Sequence, residues 1–177
     1  MTKKNDIIGS LSPGEAARVL CQMVKDPAIR KKAEAIALDM ISTVDVDEVA
    51  DDVFSALEFI DIEDVMDNSG ASRYGYTDPG DCAWELFEDA LEPFEDQLKR
   101  FYKFGMVKEA RLHCMGILKG IHRFDMEANT EYSDWVVDAP GENIARIFED
   151  WKKSGAPQED ITEVSNFLKS IVFRINP

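Results

Sequence analysis

The sequence predicts an all-α protein built mainly from antiparallel helix pairs. Apolar residues recur at three- and four-residue steps in one segment after another, and several segments begin at Ser-Pro or Asp-Pro pairs that are typical helix starts. No segment shows the period-two alternation of a half-buried strand. With 177 residues, 45% of them hydrophobic, the chain can bury a core, so we expect one domain of about seven helices.

The first predicted helix pair lies in residues 1–44. The run Ser12-Pro13-Gly14-Glu15 supplies an N-cap, a first-turn proline and a capping-box glutamate, and Asp26-Pro27 begins the second helix with a similar signal. So short a connection predicts an antiparallel hairpin. The apolar stripes are Ala16, Val19, Leu20, Met23 and Val24 on the first helix and Ile29, Ala33, Ile36, Ala37, Met40 and Ile41 on the second.

The remaining predicted helices form an acidic body over residues 45–177. One helix begins at Asp45, with a short extra turn after Asp61, and residues 68–77 have no helical period and are expected to form a loop. A long helix begins at Asp78-Pro79 and is expected to kink or break at Pro93.

Three further helices are predicted to complete the body. Gly105 is a C-cap signal, and the returning helix is expected to span residues 106–122. Gly116 and Gly120 lie one turn apart on it, which would allow a neighbouring helix to approach closely. After an irregular region over residues 123–138, the last two helices are predicted to begin at Asp138 and near Gln158.

The net charge of −15 comes from one segment. Residues 45–96 contain 18 acidic residues and 1 basic residue, Arg73, whereas residues 1–44 carry +2 and residues 97–177 are neutral. Phosphate contacts need a basic stripe, so this chain is not expected to bind nucleic acid directly.

The acidic segment also contains the candidate interaction surface. Its carboxylates share faces of two predicted helices, and Arg73 precedes two tyrosines in a loop; arginine and aromatic residues are frequent anchors of binding surfaces. The alternatives are a merely solvated acidic face and tyrosines that cover the bundle. The candidate residues are Asp47, Asp51, Asp52, Arg73, Tyr74, Tyr76, Glu85, Glu88, Asp89 and Glu92.

No catalytic set is recognisable. Neither His113 nor His122 has an acidic residue three positions earlier, as a carboxylate-bundle metal site would need, and the chain has no EF-hand or glycine-rich phosphate motif. His113 is expected to form a hydrogen bond with Glu109 one helical turn away. We therefore expect no enzyme activity, no metal and no cofactor.

The cysteines and the apolar runs indicate a cytoplasmic protein. Cys21, Cys82 and Cys114 are odd in number and far apart, which favours buried free thiols over a disulfide framework. The N-terminal apolar run is too short for a signal peptide, and no stretch approaches the about 20 apolar residues of a membrane span.

Two parts of the chain resemble known families. Residues 12–41, with V-K-D-P-A-I-R at their centre, resemble one HEAT-type hairpin, which implies a right-handed stack of helix pairs as an alternative to an irregular bundle. Residues 73–151, with R-Y-G-Y-T-D-P-G-D-C-A-W-E-L-F-E-D-A-L-E-P-F, resemble the helical region that accompanies some SWIM zinc-finger proteins. The zinc-binding pairs of those proteins have no counterpart here, so the resemblance implies a helical accessory region without a metal.

The leading hypothesis is a protein-interaction or scaffold module that presents an acidic helical surface to another protein, a basic protein being one option. One alternative is a carboxylate-lined metal-binding protein or enzyme, and another is a structural homo-oligomer that buries an apolar helix face against its own copy. No membrane partner is expected.

Overall fold

The computed structural model describes residues 7–73 and 75–173 and confirms the all-α prediction. The described residues form eight α-helices, one two-stranded hairpin and two short 3-10 helices over Ile8–Ser10 and Tyr132–Trp135. The α-helices are α1 Pro13–Met23, α2 Pro27–Ile41, α3 Val46–Glu58, α4 Ile62–Asn68, α5 Pro79–Lys103, α6 Val107–Glu127, α7 Ala139–Lys153 and α8 Gln158–Phe173.

The chain divides between Thr43 and Val44 into two compact units, an N-terminal arm (described from residue 7) and a helical body. In the arm, the Ser12 hydroxyl accepts a hydrogen bond from the Glu15 backbone N–H at 3.4 Å, and Glu15 accepts one in return from the Ser12 N–H at 3.0 Å, which is the predicted capping box. At the second helix start, Asp26 caps α2 by accepting from two backbone N–H groups.

The predicted apolar stripes of the arm are not buried. None of the described residues of the arm is buried, and Leu20, Ile36 and Met40 are 51%, 53% and 76% exposed. The periodicity therefore predicted the helices correctly, but within the arm it does not correspond to a core. Helices α1 and α2 make few contacts with each other, so the packed antiparallel hairpin predicted for this pair is wrong: a short connection sets the order of the helices but does not make their apolar faces meet.

The core of the body surrounds α6, which packs against α3, α5, α7 and α8. Gly116 and Gly120 lie where α6 meets α3, and a Cβ atom at either position would fall 2.5–2.6 Å from the Cβ of Val49 or Val53. The close helix approach predicted from these two glycines is therefore present. The largest fully buried side chains are Trp151, Tyr132, Phe87, Phe124, Leu57, Leu91, Ile117, Leu118, Ile121, Ile147, Val53 and Val65.

Gly105 ends α5 as predicted. Its φ of 71° is left-handed, the Gly105 N–H donates to the Tyr102 carbonyl at 3.0 Å, and the Met106 N–H donates to the Phe101 carbonyl at 2.9 Å. This pair of bonds is a Schellman motif, which satisfies carbonyls at the end of the helix and reverses the chain into α6.

Three boundary predictions were wrong. The expected loop contains strands β1 (Gly70–Ser72) and β2 (Gly75–Thr77), paired antiparallel, and three-residue strands are too short to show a period-two pattern. Helix α5 continues through Pro93 without the break that was one of the two expected outcomes there. Helix α6 runs to Glu127 rather than to His122, because Phe124 extends its buried face by another turn.

Candidate functional site: an acidic concavity on α5 and α7

Helix α5 carries a stripe of carboxylates on the side facing away from its core residues. Acidic residues recur at three- and four-residue steps, while Phe87, Leu91 and Leu98 of the same helix are buried. The helix is therefore strongly amphipathic, with one face fixed in the core and the other available to solvent. The α5 stripe consists of Glu85, Glu88, Asp89, Glu92 and Glu95.

Part of this stripe lines a concavity shared with α7. Its volume is about 340 Å³. Glu88, Asp89 and Glu92 are exposed in it, and Glu95 and Arg146 are partly buried. Four carboxylates and one guanidinium line this space, so its charge is negative. We call this set of five residues the acidic concavity.

Arg146 is held in place by two partners. Its two terminal nitrogens donate to the two carboxylate oxygens of Glu95 at 2.6 and 3.1 Å, and its Nε and one terminal nitrogen donate to Oδ1 of Asn143. Asn143 is itself buried and donates to the Ala139 carbonyl at 3.0 Å. The Glu95 bond raises the pKa of Arg146 above its usual value. This cation is thus already engaged with Glu95. Of the other three carboxylates, Glu88 accepts a hydrogen bond from the Trp84 indole N–H at 3.3 Å, and each still has oxygen lone pairs that can accept from a partner.

The candidate carboxylates on α3 lie in a different arrangement. Asp47 accepts a hydrogen bond from Lys119 of α6, and Asp51 forms an ion pair with Arg123 one turn further along. Lys119 also lowers the pKa of Asp47 through this bond. These two carboxylates therefore belong to the contact between α3 and α6, beside the glycines. Asp52 is exposed.

The arginine–tyrosine segment forms the turn of the hairpin. Arg73 lies at the turn and is exposed, and Tyr76 on β2 is 69% exposed rather than packed over the bundle. Tyr74 lies outside the described residues. The structure therefore separates the predicted surface into the α5 stripe, the α3 carboxylates and the hairpin.

Two other sequence expectations need correction. The partner of His113 is not Glu109: its Nε2 lies 3.0 Å from the Phe94 carbonyl on α5, and because a carbonyl only accepts, Nε2 carries the proton. Burial lowers the pKa of His113, and the bond to Phe94 partly opposes that effect. Among the cysteines, Cys82 and Cys114 are buried free thiols as predicted, but Cys21 is exposed.

Aromatic side chains of the body differ in how deeply they are buried. Tyr132 and Trp151 are core residues, and the Tyr132 hydroxyl donates to the Ala83 carbonyl at 2.7 Å. Trp135 is 42% exposed. Among the residues that the structure describes, no group of three or more histidine, cysteine or acidic side chains is placed to hold a metal ion.

Sequence reasoning missed Glu95 and Arg146. Glu95 continues the α5 stripe three residues after Glu92 and could have been found from spacing alone. Arg146 lies 51 residues further along the chain and is brought to Glu95 only by the packing of α7 on α5, so no local pattern indicates it.

Fold and site together define an all-α helical protein with an acidic concave surface. No family model, curated protein or solved structure matches the chain. The resemblances to a HEAT-type hairpin and to the SWIM-associated helical region therefore stay predictions. None of the described helices is both long enough and apolar enough to cross a membrane.

Proposed function

We propose that the body is a protein-interaction module whose acidic concavity binds a lysine- or arginine-rich segment of another protein. The observation that carries the proposal is the surplus of carboxylates in a concave surface whose lining cation, Arg146, is already bound to Glu95. A basic side chain entering the concavity meets Glu88, Asp89 and Glu92 as acceptors. We propose no catalytic reaction at this site.

The rigidity of the surface supports this proposal. The acidic concavity lies on two helices rather than on loops, and Phe87 and Ile147 anchor those helices in the core. The backbone that carries the carboxylates therefore loses little freedom when a partner binds, which favours recognition over a merely solvated face. The α3 carboxylates contribute less, because Asp47 and Asp51 are already paired with cations of α6.

A fluorescent peptide rich in lysine and arginine is the probe for a direct test. Its affinity for the whole chain would be measured by fluorescence anisotropy, together with that of the variant E88Q/D89N/E92Q. An exposed ion pair contributes about 0.2–1 kcal/mol, so removing three acceptors should weaken binding by about threefold to a hundredfold.

A variant with the same change in net charge separates a site from general attraction. D125N/E131Q/D134N removes three exposed carboxylates at the end of α6 and in the turn after it, outside the acidic concavity. We expect it to bind the peptide within about twofold of the wild type at about 0.15 M salt, where distant charges are screened. Equal losses in the two variants, or no binding by the wild type, would refute the proposed site.

A further inference from the structure

The arm has the properties of a self-association surface. In α1, Val19, Leu20 and Met23 are 37–51% exposed and share one face of the helix. In α2, Ile29, Ile36 and Met40 share a face and are 38–76% exposed. We call these six side chains the arm stripe. Apolar stripes of this kind are normally buried, and the described residues of the arm contain no core that buries them.

We infer that the arm stripe of one chain packs against the arm stripe of a second copy of the same chain, which makes the protein a two-fold symmetric dimer. The α1 and α2 helices of two copies together supply four amphipathic helices, and helices of this kind bury their stripes in four-helix arrangements. Contacts of this kind are self-complementary, because each copy contributes the same surface.

The exposed area fits a dimer interface. The exposed fractions of the six side chains amount to roughly 500 Å² of apolar surface per copy, compared with about 800 Å² per partner in a standard interface that includes its polar rim. Long side chains beside the stripe, such as Lys32, can supply part of the remaining area through their methylene groups.

The charge distribution points to a second copy as the occupant. Described residues 7–43 carry five basic and four acidic residues, with both signs on each helix, for example Glu15 and Arg18 on α1. Two arms therefore meet with little repulsion and can pair opposite charges at the rim. The segment 45–96 carries −17, so two copies repel each other there, whereas the nearly neutral arm opposes association much less and also exposes an apolar stripe.

Sedimentation equilibrium of the full chain tests this inference. The chain has a mass of 20.0 kDa, and we expect twice that mass at about 10–50 µM protein, the range in which a micromolar dissociation constant is resolved. The variant L20Q/I36Q, which places two polar groups in the arm stripe, should sediment as a monomer. A wild-type chain that is monomeric throughout this range would overturn the inference.

The chain offers a matched control on the same helix. Leu38 is 44% exposed and points to the opposite side of α2 from Ile36, so L38Q removes a similar apolar side chain outside the stripe. It should remain dimeric. If L20Q/I36Q remains dimeric as well, the interface lies elsewhere. If the wild type is monomeric and L20Q/I36Q changes the stability of the body, the arm packs onto its own body instead of a second copy. Either result refutes the inference.

Two measurements keep the result interpretable. All three tryptophans lie in the body, so their fluorescence reports whether the body of each variant is folded independently of the state of the arm. Raising the salt concentration should strengthen a dimer formed through apolar stripes, because it screens the repulsion between acidic bodies. Dissociation of the dimer by salt would contradict an apolar interface and indicate a charge-driven one.

Discussion

Replacing Gly120 by alanine perturbs the close contact between α3 and α6. An added Cβ would lie 2.6 Å from Val53 Cβ and 2.7 Å from the Ala50 carbonyl oxygen. Real Cβ atoms essentially never come so close, and the Ala50 oxygen is backbone and cannot rotate away. Helices α3 and α6 must therefore move apart, which also strains the neighbouring ion pairs of Asp47 and Asp51.

The expected loss of stability is the difference between two opposing effects. Overpacking against a well-packed core costs about 3 kcal/mol at the upper end of its usual range, because one of the obstructing atoms is backbone. Alanine in place of glycine inside a helix returns about 1 kcal/mol. The net loss of about 2 kcal/mol should lower the melting temperature by about 4–8 °C in a domain of this size.

Urea unfolding followed by tryptophan fluorescence measures this difference, since the tryptophans lie in the body. The matched control is Gly141→Ala on α7, where an added Cβ meets nothing within 4 Å and only the conformational gain remains. That variant should be more stable than the wild type by about 0.5–1 kcal/mol. If Gly120→Ala is as stable as Gly141→Ala, the close approach of α3 and α6 is wrong.

Two further predictions follow from buried titratable groups. Ellman's reagent should modify one thiol quickly in the native chain and the other two only after unfolding. The fast thiol is that of Cys21, which is exposed, whereas Cys114 is fully buried and burial raises its pKa. A Cys21→Ser variant that keeps the fast reaction would contradict this prediction. His113 should make the folded state less stable as the pH is lowered below about 6.5. Burial lowers the pKa of His113 in the folded state, so the unfolded chain binds the proton first as the pH decreases. The free energy of unfolding of the wild type should therefore decrease as the pH is lowered from about 7 to 5.5. The decrease should be smaller in His113→Gln, which keeps a donor for the Phe94 carbonyl. Equal dependence of the free energy of unfolding on pH in the two proteins would refute the assignment to His113.

Helix starts and ends were predictable from the sequence because their causes are local. Asp26, Asp45 and Asp78 each accept hydrogen bonds from backbone N–H groups two or three residues later, so the signal and the structure lie within one turn. Gly105 likewise needs only its own left-handed φ and two neighbouring carbonyls. The close approach at Gly116 and Gly120 was predictable for a similar reason, since their spacing along one helix face already implies a groove.

The pairing of charges could not be predicted, because it depends on residues far apart in the chain. Lys119 reaches Asp47 across 72 residues, and Arg146 reaches Glu95 across 51. A count of charges along the sequence treats residues 45–96 as one acidic segment. The fold divides it, since α6 supplies cations to α3 but not to the exposed stripe of α5.

This division suggests that stability and partner binding depend on different carboxylates of the same segment. Asp47 and Asp51 form exposed ion pairs that bridge α3 and α6, so neutralising them removes a small, salt-screened contribution to the stability of the fold. Glu88, Asp89 and Glu92 are exposed in the acidic concavity, where substitutions of surface residues usually change stability by less than about 0.5 kcal/mol. Mutual repulsion within the α5 stripe also makes those three carboxylates unfavourable in the isolated chain. A basic partner would relieve that repulsion, which gives the stripe a physical reason to favour a bound state.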